Sequence, residues 1–386
     1  MPALLFFARY DMRNFDTALH ILRDAVAREV IPAAAFGVGF AGEILWQGSE
    51  GFATLHPTRE AIREDTRFDM ASLSKVLSTT MVALRFLEEG RLLLTDPLSR
   101  FFTEEELAGS PEGRADVTVF QLMTHTSGIT PHIALWNVIP ADVVGTKGFD
   151  AAVASAILRS APFCRPGEQV YYSCMGYILL QKILERLSGQ TLDKLAEAYV
   201  FTPLGMTSTG YLPFGDNGNK PDCNAAATEF SSIHKYYIRG HVHDENAHFL
   251  GGVSGNAGVF STLEDSIKFA QMLSLRGEIP AAAGGGRLLS RRVFDLAVQD
   301  YTPGLSESRG LGLQLRPPLP RLSAAGDLFS YGSYGHTGFT GTSLYVDADT
   351  GLWAVLLTNA VHLGRDRTEF FRVRRLFYNA VAAAVL

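Results

Sequence analysis

The sequence predicts an α/β (α+β) fold: one antiparallel sheet flanked by helices, built from both ends of the chain, with a mostly helical subdomain inserted between them. Three observations carry this prediction. Strand-like runs lie near both termini, helix-period patterns fill the middle, and an amphipathic helix opens at Ser72. The sheet subdomain is expected to comprise residues 1–80 and 257–386, and the helical one residues 81–256, including an irregular segment at 211–256.

Taken in order, Phe15, Leu19, Leu22 and Val26 share one helical face over about residues 14–29, and Pro32 ends it. Ala33–Phe40 and Glu43–Gln47 read as a hairpin across Ala41-Gly42. Gly37-Val-Gly39-Phe-Ala-Gly42 has the form of a dinucleotide fingerprint, but it precedes a strand and is read as turn chemistry. Leu73, Val76, Leu77, Met81, Leu84 and Leu87 give the helix behind Ser72 its buried face, and Gly90 supplies a stop.

From about 91 to 210 helices dominate. Val117–Met123 leads into the turn Thr124-His-Thr-Ser-Gly128; Ala151–Leu158, Tyr177–Leu187 and Leu192–Tyr199 are helix-patterned, and Pro203-Leu-Gly-Met206 follows. Residues 211–256, rich in Gly, Asn, His and Asp, are expected to form an active-site lid or substrate wall. Leu263–Leu275 returns to helix, and Ala281–Gly286 and Pro317–Gly326 read as surface linkers. Gly310–Leu315, Thr340–Val346 and Leu352–Thr358 read as strands, the last two joined across Asp347-Ala-Asp-Thr-Gly351. Phe370, Val373, Phe377 and Ala380 place a final helix at about 367–384.

Composition narrows the function classes. The 386 residues, 47% hydrophobic and 19% charged, are a globular composition with room for a large core. A net charge of −6 offers no basic footprint for nucleic acid. Cys164, Cys174 and Cys223 are too few, and odd in number, for a disulfide framework. No stretch approaches the ~20 apolar residues of a membrane span. The opening Met-Pro-Ala-Leu-Leu-Phe-Phe-Ala-Arg lacks the features of a signal peptide. A cytoplasmic protein is therefore expected, or a periplasmic or secreted one if a leader has been trimmed.

Three stretches carry chemistry. At a helix start, free N–H groups surround Ser72, and Lys75 shares its face and can take or return the hydroxyl proton. Partial desolvation is expected to lower the Lys75 pKa and make it a base near neutrality. Ser-x-x-Lys alone is a weak signal: Ser232-Ile-His-Lys235 repeats it, and an N-cap serine with a surface lysine is the competing reading. The second stretch, Pro166-Gly-Glu-Gln-Val-Tyr-Tyr172-Ser-Cys174-Met-Gly-Tyr177, opens a helix; the third, Gly335-His336-Thr337-Gly338, stands at the lip of a strand.

In this order and context the chain resembles the serine β-lactamase and penicillin-binding-protein family over about residues 15–385. It looks most like the class C β-lactamase, D-alanyl-D-alanine carboxypeptidase and carboxylesterase branch. Thr124-His-Thr-Ser-Gly128, Pro203-Leu-Gly-Met206 and Gly335-His-Thr-Gly-Phe-Thr-Gly-Thr support the resemblance. It implies Ser72 as nucleophile, Lys75 as its proton partner and Tyr172 as the shuttle to the leaving group. A phenol beside ammonium groups is also expected, on physical grounds, to shift toward phenolate. The competing reading of Tyr172 is a core aromatic beside Tyr171 and Tyr177.

Cys174 stands where the family often has asparagine, and the preferred reading is a small buried residue without chemistry. His336 stands where the family commonly has lysine, and no lysine follows Lys268 to take its place. A histidine is charged only below a pKa of about 6.5, so carboxylate recognition by His336, Thr337 and Gly338 is expected to be weak or pH-dependent. The N–H groups of Ser72 and Phe339 are expected to form an oxyanion hole.

His241, His243 and Asp244 could ligate a divalent metal. A polar active-site wall is preferred there, and no cofactor is expected, because the nucleophile needs no metal. The stretch ending in Gly-Gly-Val-Ser-Gly-Asn-Ala-Gly-Val-Phe-Ser-Thr262 is similar to exo-acting N-acetylmuramoyl-L-alanine amidases of cell-wall recycling. The resemblance thus implies a serine hydrolase forming an acyl-enzyme on Ser72, with a small-molecule or peptide substrate and, foremost, an amide of a cell-wall-derived muropeptide. The alternatives are a carboxylesterase or β-lactamase acting on small esters or β-lactams, a non-catalytic peptide-binding relative, and a metal-dependent hydrolase. Neither Gly-x-Ser-x-Gly nor His-Glu-x-x-His occurs, which argues against an α/β-hydrolase or a zincin.

Overall fold

Ala33–Phe40 and Leu352–Thr358 are buried along almost their whole lengths, as strands covered on both faces must be. They pair antiparallel at the centre of the main sheet, from Ala34 opposite Thr358 to Phe40 opposite Leu352. The computed structural model describes residues 14–40, 42–212, 224–231, 235–281 and 284–386. In it, seven strands lie in the order Glu60–Ala61, Glu43–Thr54, Ala33–Phe40, Leu352–Thr358, Ser343–Val346, Tyr334–Thr337 and Gln314–Leu315. Every neighbouring pair is antiparallel. The expected sheet of strands from both termini is the observed one.

Helices Asp16–Ala27 and Thr368–Val385 cover one face, where Leu22, Phe36, Phe377 and Tyr378 join one buried cluster. Helix Leu263–Ser274 packs on the other face. The cluster there continues without a break into the helices Met81–Glu88 and Cys174–Ser188 of the middle region. The sheet and the helical layer therefore share one core, and Ser72 lies at their junction. Among the described residues no helix is long and apolar enough to cross a membrane.

Several sequence expectations need correction. Gly37 and Gly39 do not make a turn; they lie within the strand Ala33–Phe40. A Cβ on Gly39 would lie 2.0 Å from the Trp353 ring, and one on Gly37 2.7 Å from Ile267, so both positions are left bare for packing across the sheet. The second hairpin strand runs on to Thr54, whereas Gly310–Leu315 contracts to Gln314–Leu315. His336 and Thr337 belong to the strand Tyr334–Thr337 itself rather than to the lip of the one that follows. Within 211–256 the chain forms a short strand pair, Phe230–Ser231 with Tyr236–Tyr237, and a helix, Glu245–Phe249. The second Ser-x-x-Lys match begins at Ser232, outside the described residues.

Candidate active site

The turn before Ser72 is fixed from both sides. Phe68–Asp69 pairs with Val259–Ser261, and the Met70 N–H donates to the Val259 carbonyl at 2.9 Å. The buried Asp69 carboxylate accepts the N–H of Ala71 at 2.8 Å and that of His243 at 2.7 Å. Between these ties Ala71 is held at φ 45°, a left-handed conformation that costs a non-glycine residue about 1–2 kcal/mol. Ser72 then sits in a 3₁₀ turn, Ala71–Leu73, followed by a π-helical stretch, Lys75–Thr80, before the α-helix Met81–Glu88 begins. The regular helix expected from Ser72 onward is thus wound tightly and then loosely in its first two turns, a distortion that π-stretches often bring to functional sites.

Lys75 is fully buried. Its Nζ donates to Ser72 Oγ at 3.0 Å and to the Asn256 carbonyl at 2.8 Å, and lies 3.5 Å from Cys174 Sγ. The expectation of a lowered pKa is not met. Burial does oppose the charge, but Cys174 and Tyr172, once either has lost its proton, outweigh it, and the Lys75 pKa is raised. Cys174 Sγ touches the lysine, and Cys174 lines a cavity with Ser72.

Tyr172 lies between two cations, with Lys75 Nζ 4.9 Å and the Arg309 guanidinium 5.3 Å from its ring centroid. Its buried hydroxyl makes no well-formed hydrogen bond, and Ser72 and Lys75 are the side chains close enough to act on it. Burial raises its pKa by more than Lys75 lowers it, so the phenol keeps its proton at neutral pH, contrary to the expected shift toward phenolate. The turn Thr124–Gly128 explains how Tyr172 is held. The His125 carbonyl accepts the Tyr171 N–H at 2.9 Å, His125 Nδ1 accepts the Ser173 N–H at 3.1 Å, and the imidazole packs on the Tyr172 ring at 4.5 Å. Gly128 is needed in this turn: φ is +67°, and a Cβ would meet the Cys164 carbonyl oxygen at 2.2 Å.

The third stretch is stapled to the first. Thr340 Oγ1 donates to the Asp69 carbonyl at 2.7 Å, and Thr342 Oγ1 to the Met70 carbonyl at 3.1 Å. These bonds hold Phe339 beside the serine turn, and Phe339 and Ser72 line a common cavity. Among the described residues neither the Ser72 nor the Phe339 backbone N–H has a protein acceptor.

His336 is buried and cannot act as the expected pH-dependent cation. Burial, reinforced by Arg309 and Lys75, pushes its pKa well below the ordinary histidine value. Its Nδ1 donates to the Thr337 carbonyl at 2.8 Å, which leaves Nε2 bare toward Arg309 Nη1 at 3.5 Å. Arg309 is thus the permanent cation beside His336. Arg309, Arg367 and Arg374 all line the ≈ 280 Å³ cavity that also touches Ser72, Tyr172, Thr337 and Gly338. None of the three was singled out from sequence, because arginines without a motif spacing look like ordinary surface charge.

On the other side of Ser72 lies a cavity of ≈ 480 Å³ bounded by His132, Trp136, Cys174, His243 and Phe339. The proposed metal set does not converge there. His243 Nε2 lies 3.0 Å from Glu229 and its ring stacks on Phe339, whereas Asp244 caps the helix Glu245–Phe249 by accepting the Ala247 N–H at 2.8 Å. Ring contact of His241 is with Tyr236. Among the described residues no three His, Cys, Asp or Glu side chains are grouped to hold a metal ion.

Comparison with known proteins agrees with this architecture. The sequence model of the Beta-lactamase family matches residues 19–378. A protein of Escherichia coli K12 named "Putative D-alanyl-D-alanine carboxypeptidase" is 29% identical over 317 residues, covering 77% of this chain and 70% of that protein. The N-acetylmuramyl-L-alanine amidase of Bacillus subtilis 168 is 27% identical over 378 residues, covering 92% of this chain and 82% of that protein. The solved structure of a penicillin-binding protein homolog from Caulobacter crescentus matches with a TM-score of 0.70 at 19% identity, over 95% of this chain and 97% of that one. The chain belongs to the Beta-lactamase family and is a serine hydrolase.

Proposed function

We propose that this protein hydrolyses an amide bond of a cell-wall-derived muropeptide through an acyl-enzyme on Ser72. One observation carries the reading: Lys75 Nζ is bonded to Ser72 Oγ at 3.0 Å, with the Tyr172 ring 4.9 Å from the same nitrogen. The buried Tyr172 hydroxyl makes no well-formed hydrogen bond, but Ser72 and Lys75 both act on it, so it can pass a proton between them.

Once the Lys75–Tyr172 pair has lost one proton, it accepts the hydroxyl proton as Ser72 Oγ attacks the amide carbonyl carbon. The tetrahedral oxyanion lies against the N–H groups of Ser72 and Phe339. Collapse breaks the C–N bond, and the proton held by the pair passes to the departing amine. Water then attacks the acyl ester and gives its proton to the same pair, and the free acid leaves as Ser72 regains its hydroxyl. The names of the two relatives, a D-alanyl-D-alanine carboxypeptidase and an N-acetylmuramyl-L-alanine amidase, support the substrate class.

The test is mass spectrometry of an N-acetylmuramoyl-peptide incubated with wild type and with Ser72→Ala. Cleavage to the sugar acid and free peptide by wild type alone is the expected result. Cleavage by both would refute the serine mechanism. Failure of both would remove the muropeptide and leave short-chain esters and cephalosporins as the next substrates to try.

A further inference from the structure

Arg367 and Arg374 are seven positions apart, at the start and on the second turn of the helix Thr368–Val385, and therefore share one face of it. Both residues line the ≈ 280 Å³ cavity beside Ser72. Among the described residues neither has a carboxylate or any other hydrogen-bond partner, and the Nε atoms of both are buried and unpaired.

What surrounds them is aromatic. Arg367 lies 3.9 Å from the Phe339 ring centroid, and Arg374 lies 5.5 Å from those of Phe370 and Phe371. Burial lowers the pKa of both; for Arg367, with Arg374 and Arg365 repelling it, the value falls to about 10. Arg309, in the same cavity, differs because Glu307 pairs with it. Arg374 is buried and Arg367 half-buried; positive charge drawn out of water without a partner is unfavourable, and guanidiniums bind carboxylates in forked, charge-assisted pairs. Two of them beside the reacting serine match an anion that arrives with the substrate.

We propose that Arg367 and Arg374 form a specificity subsite for a leaving group carrying two carboxylates. The proposal rests on the reading of Ser72 as nucleophile, and it names the part of the substrate that departs. The two unpaired guanidiniums set the charge, and the cavity admits a segment of amino-acid size.

The experiment compares three amides with one acyl group and leaving amines bearing no, one or two carboxylates. These are assayed with wild type, R367Q and R374Q. For wild type, kcat/KM is expected to rise with each carboxylate. In each variant the ratio of kcat/KM on the dicarboxylate to that on the uncharged amide should fall about tenfold or more, mainly through KM for the dicarboxylate. Thermal melting should show no loss of stability, since an unpaired buried charge has been removed.

Equal losses on all three amides, or a wild type indifferent to carboxylates, would overturn the subsite. Preference for a phosphate monoester on the leaving amine over two carboxylates would overturn its dicarboxylate character. Binding is read apart from catalysis by the thermal shift of the Ser72→Ala protein with succinate and with acetate. A larger shift with succinate, abolished by adding R374Q, supports the subsite even if Ser72 proves not to be the nucleophile. Equal shifts with and without Arg374 refute the subsite even if the serine mechanism stands.

Discussion

Gly338 marks the closest passage between the strand Tyr334–Thr337 and the serine turn, and Gly338→Ala probes whether that passage sets the oxyanion hole. A Cβ there would lie 2.1 Å from Thr342 Oγ1 and 2.5 Å from the Met70 carbonyl oxygen. The threonine can rotate, but the Met70 carbonyl is backbone and lies two residues before Ser72. Ordinary van der Waals contact begins near 3.4 Å, so the two segments must separate. Relief takes roughly 1 Å of backbone movement, a displacement that costs about 10²-fold when it misplaces reacting groups. The N–H of Phe339 would be carried away from that of Ser72, and loss of one oxyanion donor costs ~10²–10³ in kcat, or about 2.7–4 kcal/mol. The assay is steady-state kinetics on a chromogenic ester and on the muropeptide, with circular-dichroism melting to establish folding. A fall in kcat of about 10²-fold with little change in KM is expected. A folded Gly338→Ala enzyme with kcat within threefold of wild type would refute the placement of the hole.

Because the pKa values of both Lys75 and Tyr172 are raised, the pair keeps its protons through neutrality; kcat/KM should therefore climb with pH between about 7 and 9, and a flat profile there would show that substrate or another group supplies the base. Asp69→Ala leaves the N–H groups of Ala71 and His243 without their acceptor and should lower stability by about 2–4 kcal/mol in urea denaturation, together with a fall in kcat; an unchanged midpoint would mean water replaces the carboxylate. Gly39→Ala places a methyl 2.0 Å from the Trp353 ring and 2.1 Å from the Glu43 carbonyl oxygen, and should cost at least about 1–3 kcal/mol in thermal or urea unfolding, while kcat per folded molecule stays near wild type.

Much of the fold was legible because it is written in short-range pattern. The helix over Phe15–Val26, the hairpin at Gly42 and the strand Leu352–Thr358 each carry their period within a dozen residues. Ser72, Lys75 and Tyr172 were legible because their spacing and flanks resemble a family. The electrostatics of that trio were not, since the Lys75 pKa depends on Cys174, a contact 99 residues away along the chain. Gly37 and Gly39 misled for the same reason: what they make room for, Ile267 and Trp353, is supplied by distant segments. The left-handed Ala71 and the π-stretch after it are set by the ties to Val259, His243 and Thr340, none of which leaves a mark near Ser72.

The histidine at 336 illustrates how a charge expected at one position can be supplied from another. His336 Nδ1 is committed to the Thr337 carbonyl, so the neutral ring offers only its bare Nε2, and that atom faces the Arg309 guanidinium. A lysine at 336 would set a second cation against Arg309 in a site where both groups are buried, a repulsion that desolvation strengthens. A neutral acceptor there is compatible with Arg309, whereas a lysine is not. A cation, Arg309, therefore stands beside the position where the family pattern implies one, and Arg367 and Arg374 line the same cavity. Although the whole chain carries a net charge of −6, the ≈ 280 Å³ cavity beside Ser72 gathers three arginines against Glu307, whereas the ≈ 480 Å³ cavity carries Asp244 and Glu245 with Arg365. A positive cavity in an acidic protein focuses its field, so anionic groups of a substrate are expected on that side of Ser72 rather than on the other.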